Sequence, residues 1–533
     1  ARAQISDLTF DYGNDWPRAE GVSAVASFIN SGMLIEATGG QSLGVKADKA
    51  VALIPDFGDA LLDLNVQGNG SGASLMNFVR NSPIARRQAD TLAKLTLGGT
   101  GTFDFHLSLP LKKIEDAQLS GTAQLQNADL SAAEWNLQLD KLNGPLRFDL
   151  HGMQAGPLDA GYHGQPSKLQ LAVAGANSSP DTVLSAQLQG SYMVAELVKD
   201  YPSLGWLGQL AHGRSDFTIG YVLAKTPGHD ALSQTLSVDS PLLGTTLDLP
   251  APLNKSAEAG LPLHLTLGLP VGGSDVQIAL GQVMRGRLRL PTDPKQPVAG
   301  TLAFGDQMPD VLPPKGLRIS GHASQLDVTG WVQLAAGGSG GNGPGLESID
   351  VSTDQAEWFD HPLGAMKIQV KPQGDALSAD ISGVAMAGNF SVPTQELDKR
   401  GVTARLQRLY WPKSPAAETP PAAAAAVAPT VDPANTGVNP AALPPFHLWV
   451  GDLRLGDAKL GEARLETWPT PNGLHIEQLR ALSSRAQINA SGDWNGSATN
   501  SHTHMKISFT AEDLGAMLGA LGYDGLVNGG KTN

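Results

Sequence analysis

Apolar side chains at every second position, run after run, constrain this chain more than any other feature. In LSGTAQLQNADLSAAEWNLQLDKLNGPLRFDLHG, residues 119–152, Leu137 pairs in period with Leu139, and Leu146 with Phe148 and Leu150. Upstream, Phe103, Phe105, Leu107, Leu109 and Leu111 alternate with Thr102, Asp104, His106 and Ser108. Downstream, LPLHLTLGLP sets Leu261, Leu263, Leu265, Leu267 and Leu269 on one side. Successive side chains of a strand point to opposite faces, so each run is a strand with one apolar face. Gly, Asn, Asp and Pro clusters separate the runs about every 8–12 residues, the spacing of an antiparallel meander, and no βα alternation appears.

A length of 533 residues allows several domains or one long repetitive β body. With 62 Gly, 36 Pro and only 5% aromatic residues, the chain reads as turn-rich all-β with thin side-chain layers. Three segments break the period and predict short helices: ASLMNFVRN (73–81), YMVAELVKD (192–200) and AEDLGAMLGALG (511–522). The last carries Leu514, Met517, Leu518 and Leu521 at helical spacing, with Thr510 and Asp513 placed as an N-terminal capping pair. A strand, helix, glycine, strand unit thus repeats loosely, which suggests units stacked along one axis. The Pro and Ala rich stretch 412–445 has almost no patterning and reads as a disordered or extended loop or linker. Strands of the same style resume after it, so residues 1–411 and 446–533 are expected to form one β body interrupted by a loop. AAGGSGGNGPG, residues 335–345, predicts a smaller flexible loop.

The net charge of −14 is spread without a basic stripe, which argues against nucleic acid and against charge-driven docking on anionic lipid. Zero cysteines exclude disulfides, thiolate catalysis and Cys-type zinc sites. No run approaches the roughly 18 apolar residues of a spanning helix. The opening ARAQISDL and the closing GLVNGGKTN read as cut ends of a longer protein.

Catalytic signatures are weak. Gly337, Gly338, Ser339, Gly340 and Gly341 match G-x-S-x-G formally, but within a glycine run that no helix follows. GNGSG (68–72) precedes a helix but lacks the dinucleotide-loop spacing, so a helix-entry turn explains it. HGRSD supplies His212, Ser215 and Asp216 too close together to converge as a triad. His502 and His504 share a strand face and offer two metal ligands, but no third ligand lies near them in sequence; they read as surface histidines, and no metal or cofactor is expected.

Several long stretches carry a family resemblance: FDFHLSLPL, LSGTAQLQNADL, EWNLQLDKLNGPLRFDLHG and AGYHGQPSKLQL (103–171), SPLLGTTLDLPAPLNKSAEAGLPLHL (240–265) and LGEARLETWPTPNGLHIEQLRALSSRAQINASGDW (460–494). In their order and spacing they resemble the middle and later part of a YhdP-type AsmA-like protein of Gram-negative envelopes, without that family's inner-membrane anchor and far C-terminal portion. The resemblance implies a mainly β fold, a long twisted antiparallel sheet curled into an open apolar groove with a few short helices. It also implies a periplasmic location, an inner-membrane anchor in the parent protein, reach toward the outer membrane and phospholipid as cargo, without an enzymatic step.

The expected lining positions are Phe103, Phe105, Leu107, Leu109, Leu137, Leu139, Leu146, Phe148, Leu150, Leu247, Leu249, Leu263, Leu265 and Leu267. The same alternation also suits a solid sandwich or β-solenoid. An envelope scaffold that binds partners or helps assemble outer-membrane proteins through its sheet surface or edges is the rival function. A glycan-acting enzyme would need convergent carboxylates, and the sequence offers no convincing pair.

Overall fold

The computed structural model describes residues 1–11, 16–82, 93–133, 137–174, 176, 179–199, 205, 207–226, 231–270, 272–293, 296, 298–309, 311–337, 345–412, 439–497, 500–520 and 529–532. These residues are mainly strand, with a few short helices. They fall into two compact units, Ala1–Asp248 with Lys255–Ser274, and Leu249–Asn254 with Asp275–Asn533. Neither boundary coincides with the Pro and Ala rich stretch.

The first unit is an antiparallel meander running from Arg2–Phe10 to Leu263–Leu269, each long strand paired with the next along the chain. Among the described residues no pairing joins those two strands, so the sheet stays open. A separate two-stranded ribbon pairs Ala211–Gly213 with Thr245–Leu247. The predicted helices appear as Gly72–Arg80 and Val194–Val198. Ser71 caps the first, its hydroxyl accepting from the Ser74 N–H at 3.1 Å, and at the second the Met193 N–H donates to Glu196 Oε2 at 2.9 Å. Each bond satisfies a polar group that the helix terminus or its entry would otherwise leave unpaired.

The second unit is also one open sheet, from Asp275–Leu280 to Asn500–Ala511, but it is mixed. Three pairings are parallel where a pure meander was expected: Ala299–Phe304 with Gly316–Asp327, that strand with Leu346–Trp358, and Val402–Trp411 with Phe446–Leu455. A parallel pair needs a crossover that carries the chain back along the whole strand. The helix Val328–Gly337, which the sequence did not signal, lies in the second crossover. Residues 412–445 lie in the third, and most of them are outside the described residues, as are residues 338–344 of the glycine-rich run. The predicted C-terminal helix is Leu514–Ala520, where Asp513 Oδ1 accepts from the Ala516 N–H at 2.9 Å.

Each unit has its own core, and in each the core sits toward the strand ends that carry the helices. In the first unit Leu125, Leu139, Leu142, Leu158, Leu169 and Leu188 are buried together. In the second, Leu363, Met366, Met386, Leu406, Val450 and Leu460 are, with Val328 and Ala520 of the flanking helices packed against them.

Candidate functional site: a continuous apolar face

Strand register decides whether apolar residues far apart in sequence become one surface. In the first unit, partners read strand by strand give Ala37, Ala50, Val66, Phe105, Gly121, Phe148, Met153, Val173, Leu184 and Leu223 in one row across the sheet. A neighbouring row runs Phe103, Ala123, Leu146, Ala155, Leu171, Ala186, Tyr221, Leu236 and Leu267. Leu107 stands between Leu64 and Leu119, Leu109 opposite Leu62, and Leu265 opposite Val238. No row is interrupted by a charge.

The second unit repeats the arrangement. Its row is Ile278, Gly286, Leu302, Ile319, Ile349, Val370, Ala379, Phe390, Ala404, Leu448, Leu465, Leu479, Ala490 and Ile507. The mixed strand directions do not break it, because parallel and antiparallel neighbours alike keep side chains of one row on one face.

The other face of each sheet is polar. In the first unit His106 sits 2.8 Å from Asp63, Gln67 donates to Asp104 at 2.6 Å, and His264 lies 2.5 Å from Asp239. In the second, Asp350, Gln369, Asp380, Asn389 and Arg405 follow one another in register. Asp350 is held below the usual carboxylate range, first by the Gln369 hydrogen bond and then by Lys367.

Burial is uneven over the apolar face, and on some strands it grades from one end to the other. On Leu137–Asp149, Leu139 and Leu142 at the helix-bearing end are 2% and 1% exposed, Leu146 and Phe148 are half-buried, and Leu150 just past the strand is 49% exposed. Phe28, Leu111 and Leu232, at the same lip of the sheet, are also exposed. One side of the face is therefore packed like an interior, while the other carries half-buried and exposed apolar residues, with Ile54 and Leu223 as buried exceptions.

The expected lining residues separate accordingly. Phe103, Phe105, Leu107, Leu109, Leu137, Leu146, Phe148, Leu263, Leu265 and Leu267 are half-buried in the main sheet, and Leu150 is exposed at its lip. Leu139 is core. Leu247 belongs to the two-stranded ribbon, opposite Ala211, and Leu249 lies outside any strand, so neither is part of the rows. The sequence reading missed Leu142 because a register irregularity near Lys141, whose φ is +52°, shifts the parity of its strand.

Catalytic geometry is missing from the motifs weighed above, as far as they are described. His212 pairs with Asp248 at 3.2 Å, and the Ser215 hydroxyl accepts from Ser240 at 3.2 Å, so each is engaged with a different partner. Among the described residues no three His, Asp or Glu side chains converge as placed, and no helix is long and apolar enough to cross a membrane.

The family model for YhdP protein matches residues 1–533. The chain belongs to the YhdP family. It is 26% identical over 266 residues to the intermembrane phospholipid transporter YhdP of Escherichia coli strain K12, a match covering 49% of this chain and 20% of that relative. The chain therefore spans only a part of its relative's length. No solved structure matches it. The YhdP resemblance read from the sequence thus holds, and the apolar rows described above are features of a YhdP-family β-sheet.

Proposed function

We propose that this chain carries phospholipid between membranes without an enzymatic step, holding acyl chains against the half-exposed side of its apolar face while headgroups stay in water. The observation that carries the reading is the apolar row, uninterrupted by charge, across the strands of each unit, with half-buried and exposed apolar residues toward the lip of the sheet. A conventional core has no reason to leave Phe148 half-buried and Leu150 exposed on the same face as Leu139. The family supports it too, since the Escherichia coli relative is named an intermembrane phospholipid transporter.

The energetics favour such a surface. At about 0.8 kcal/mol per buried CH₂, a lipid with on the order of 30 methylenes loses roughly 24 kcal/mol on entering water. A row of uniform apolar character keeps the buried area nearly constant as tails move along it, so each step has a low barrier. The sheets would line an open groove with Phe103, Phe105, Leu107, Leu146, Phe148, Leu265 and Leu267 among its walls, in the periplasm of a Gram-negative envelope, and direction would come from gradients or partners.

The test is direct. The chain, expressed in a Gram-negative host and purified without detergent, should carry phospholipid detectable by native mass spectrometry and by organic extraction. A lipid-free protein that also fails to take up phospholipid from vesicles sinks the reading and leaves the scaffold function standing.

A further inference from the structure

Strand pairing assembles a group of side chains on the polar face of the second unit that no sequence spacing reveals. His475, Asp493 and His504 stand directly opposite one another on three consecutive antiparallel strands, Gly473–Leu482, Ala486–Ser497 and Asn500–Ala511. His502 follows two positions from His504, on the same face. We propose that His502, His504 and Asp493 form a binding site for a borderline divalent transition-metal ion of the zinc class, with His475 as a positioning residue behind the carboxylate.

The chemistry of the set supports this. Two imidazoles and a carboxylate are preferred zinc ligands, at about 2.0–2.2 Å from the metal. Directly opposed residues of an antiparallel pair hold their Cβ atoms about 4.5–5.5 Å apart, and residues two apart on one strand are about 6.7 Å apart. An ion above the strand is thus within reach of all three side chains. Asp493 Oδ1 already lies 2.8 Å from His475 Nδ1, the kind of outer hydrogen bond that fixes the orientation of a ligating carboxylate.

As placed, the side chains do not yet surround one point. His502 and His504 are exposed, and ligation requires side-chain rotation at these two positions. Lys506, the next residue of that face, opposes Ser491 one row away and competes with the cation for the local field. The ion would tie the strand Asn500–Ala511 to its neighbour Ala486–Ser497. The inference is independent of lipid transport.

Calorimetric titration of the full chain with zinc chloride at pH 7.5 tests it, with cobalt(II) absorption reporting the ligand field. The expected result is one site per chain, weakened at least about tenfold by His504→Ala or Asp493→Asn and unchanged by His322→Ala, whose imidazole pairs with Asp354 elsewhere. Binding should be lost at pH 5, because imidazole must be neutral to ligate. His475→Ala should weaken the site about 10–100-fold and His475→Gln, which keeps a donor, should recover most of it; equal loss in both removes His475 from the scheme. No zinc binding, or binding that survives the Asp493→Asn, His504→Ala double variant, overturns the site.

Discussion

The ring of Phe148 lies over Gly121, its Cζ 2.3 Å from where a Cβ on that glycine would stand. The two are direct partners on adjacent strands. The glycine thus makes room within the apolar row for an aromatic ring that lies close to the sheet. Gly121→Ala should push the ring away and destabilise the first unit by about 1–3 kcal/mol, the usual cost of overpacking. Adding Phe148→Leu should return much of that loss, because the smaller side chain vacates the space. Denaturant midpoints of the two single variants and the double variant measure the coupling; strict additivity would mean that the ring and the glycine do not share that space.

A second relationship predicts a pH dependence. Asp275 accepts from Arg287 Nη2 and Arg289 Nε, both at 3.0 Å, and the Arg287 hydrogen bond, then that of Arg289, holds its carboxyl below the usual range. A carboxyl depressed in the folded state contributes stability above its unfolded pKa and loses that contribution as pH falls through the folded one. Asp275→Asn should therefore be less stable than the parent above about pH 5, by under about 1 kcal/mol because the group is partly solvated. The gap should close in strong acid. A gap that widens on acidification would contradict the pairing.

How far the sequence could lead is plain from individual residues. Period two placed Phe103, Phe105, Leu107, Leu146, Phe148, Leu265 and Leu267 on one face, because alternation is a property of the strand itself. It could not separate Leu139 from Leu265, since what covers a face is decided by residues far away in the chain. Leu142 was hidden by the irregularity near Lys141, and Leu247 looked like its neighbours although its short strand pairs elsewhere. The helix Val328–Gly337 was obscured by Val328, Thr329 and Gly330 at its start, all poor helix formers. Parallel pairing leaves no local signature, and the neighbours of His504 became visible only through register.

The parallel pair around the Pro and Ala rich stretch yields a third prediction. Val402 stands opposite Phe446 and Trp411 opposite Leu455, so the connection must return along a strand of 10 residues. At about 3.3 Å per residue that is roughly 33 Å, which about a dozen residues can span. Deleting residues 417–431 leaves enough chain, and halving a loop changes closure free energy by only about 0.6 kcal/mol. The variant should fold with an unchanged denaturant midpoint. Limited proteolysis of the parent should cut first within 412–445, with both fragments remaining associated through the paired strands. Loss of folding on deletion would show that this stretch contributes packing of its own.

Two leucines on one face provide the sharpest test of the open apolar surface. Leu139 is 2% exposed among Leu125, Leu142 and Leu158, whereas Leu265 is half-buried opposite Val238. A carboxylate placed at Leu139 has neither water nor a cation, so Leu139→Glu must either protonate or break the packing, at a cost of several kcal/mol; it should unfold the first unit or lower its midpoint severely. Leu265→Glu meets a half-buried position of the same face, in a row that runs through Val238 and Ile219 to the buried Leu188 and Leu169, and there the carboxylate still has a path to water. That variant should fold with a nearly unchanged midpoint and lose bound phospholipid and transfer between vesicles, because a charge now interrupts the apolar row. Thr266→Glu, on the opposite face and across from Ser237, changes no apolar surface and should keep both fold and lipid. If Leu265→Glu unfolds the protein as Leu139→Glu does, the face is a closed core; if it folds and still moves lipid at the parent's rate, lipid takes another path.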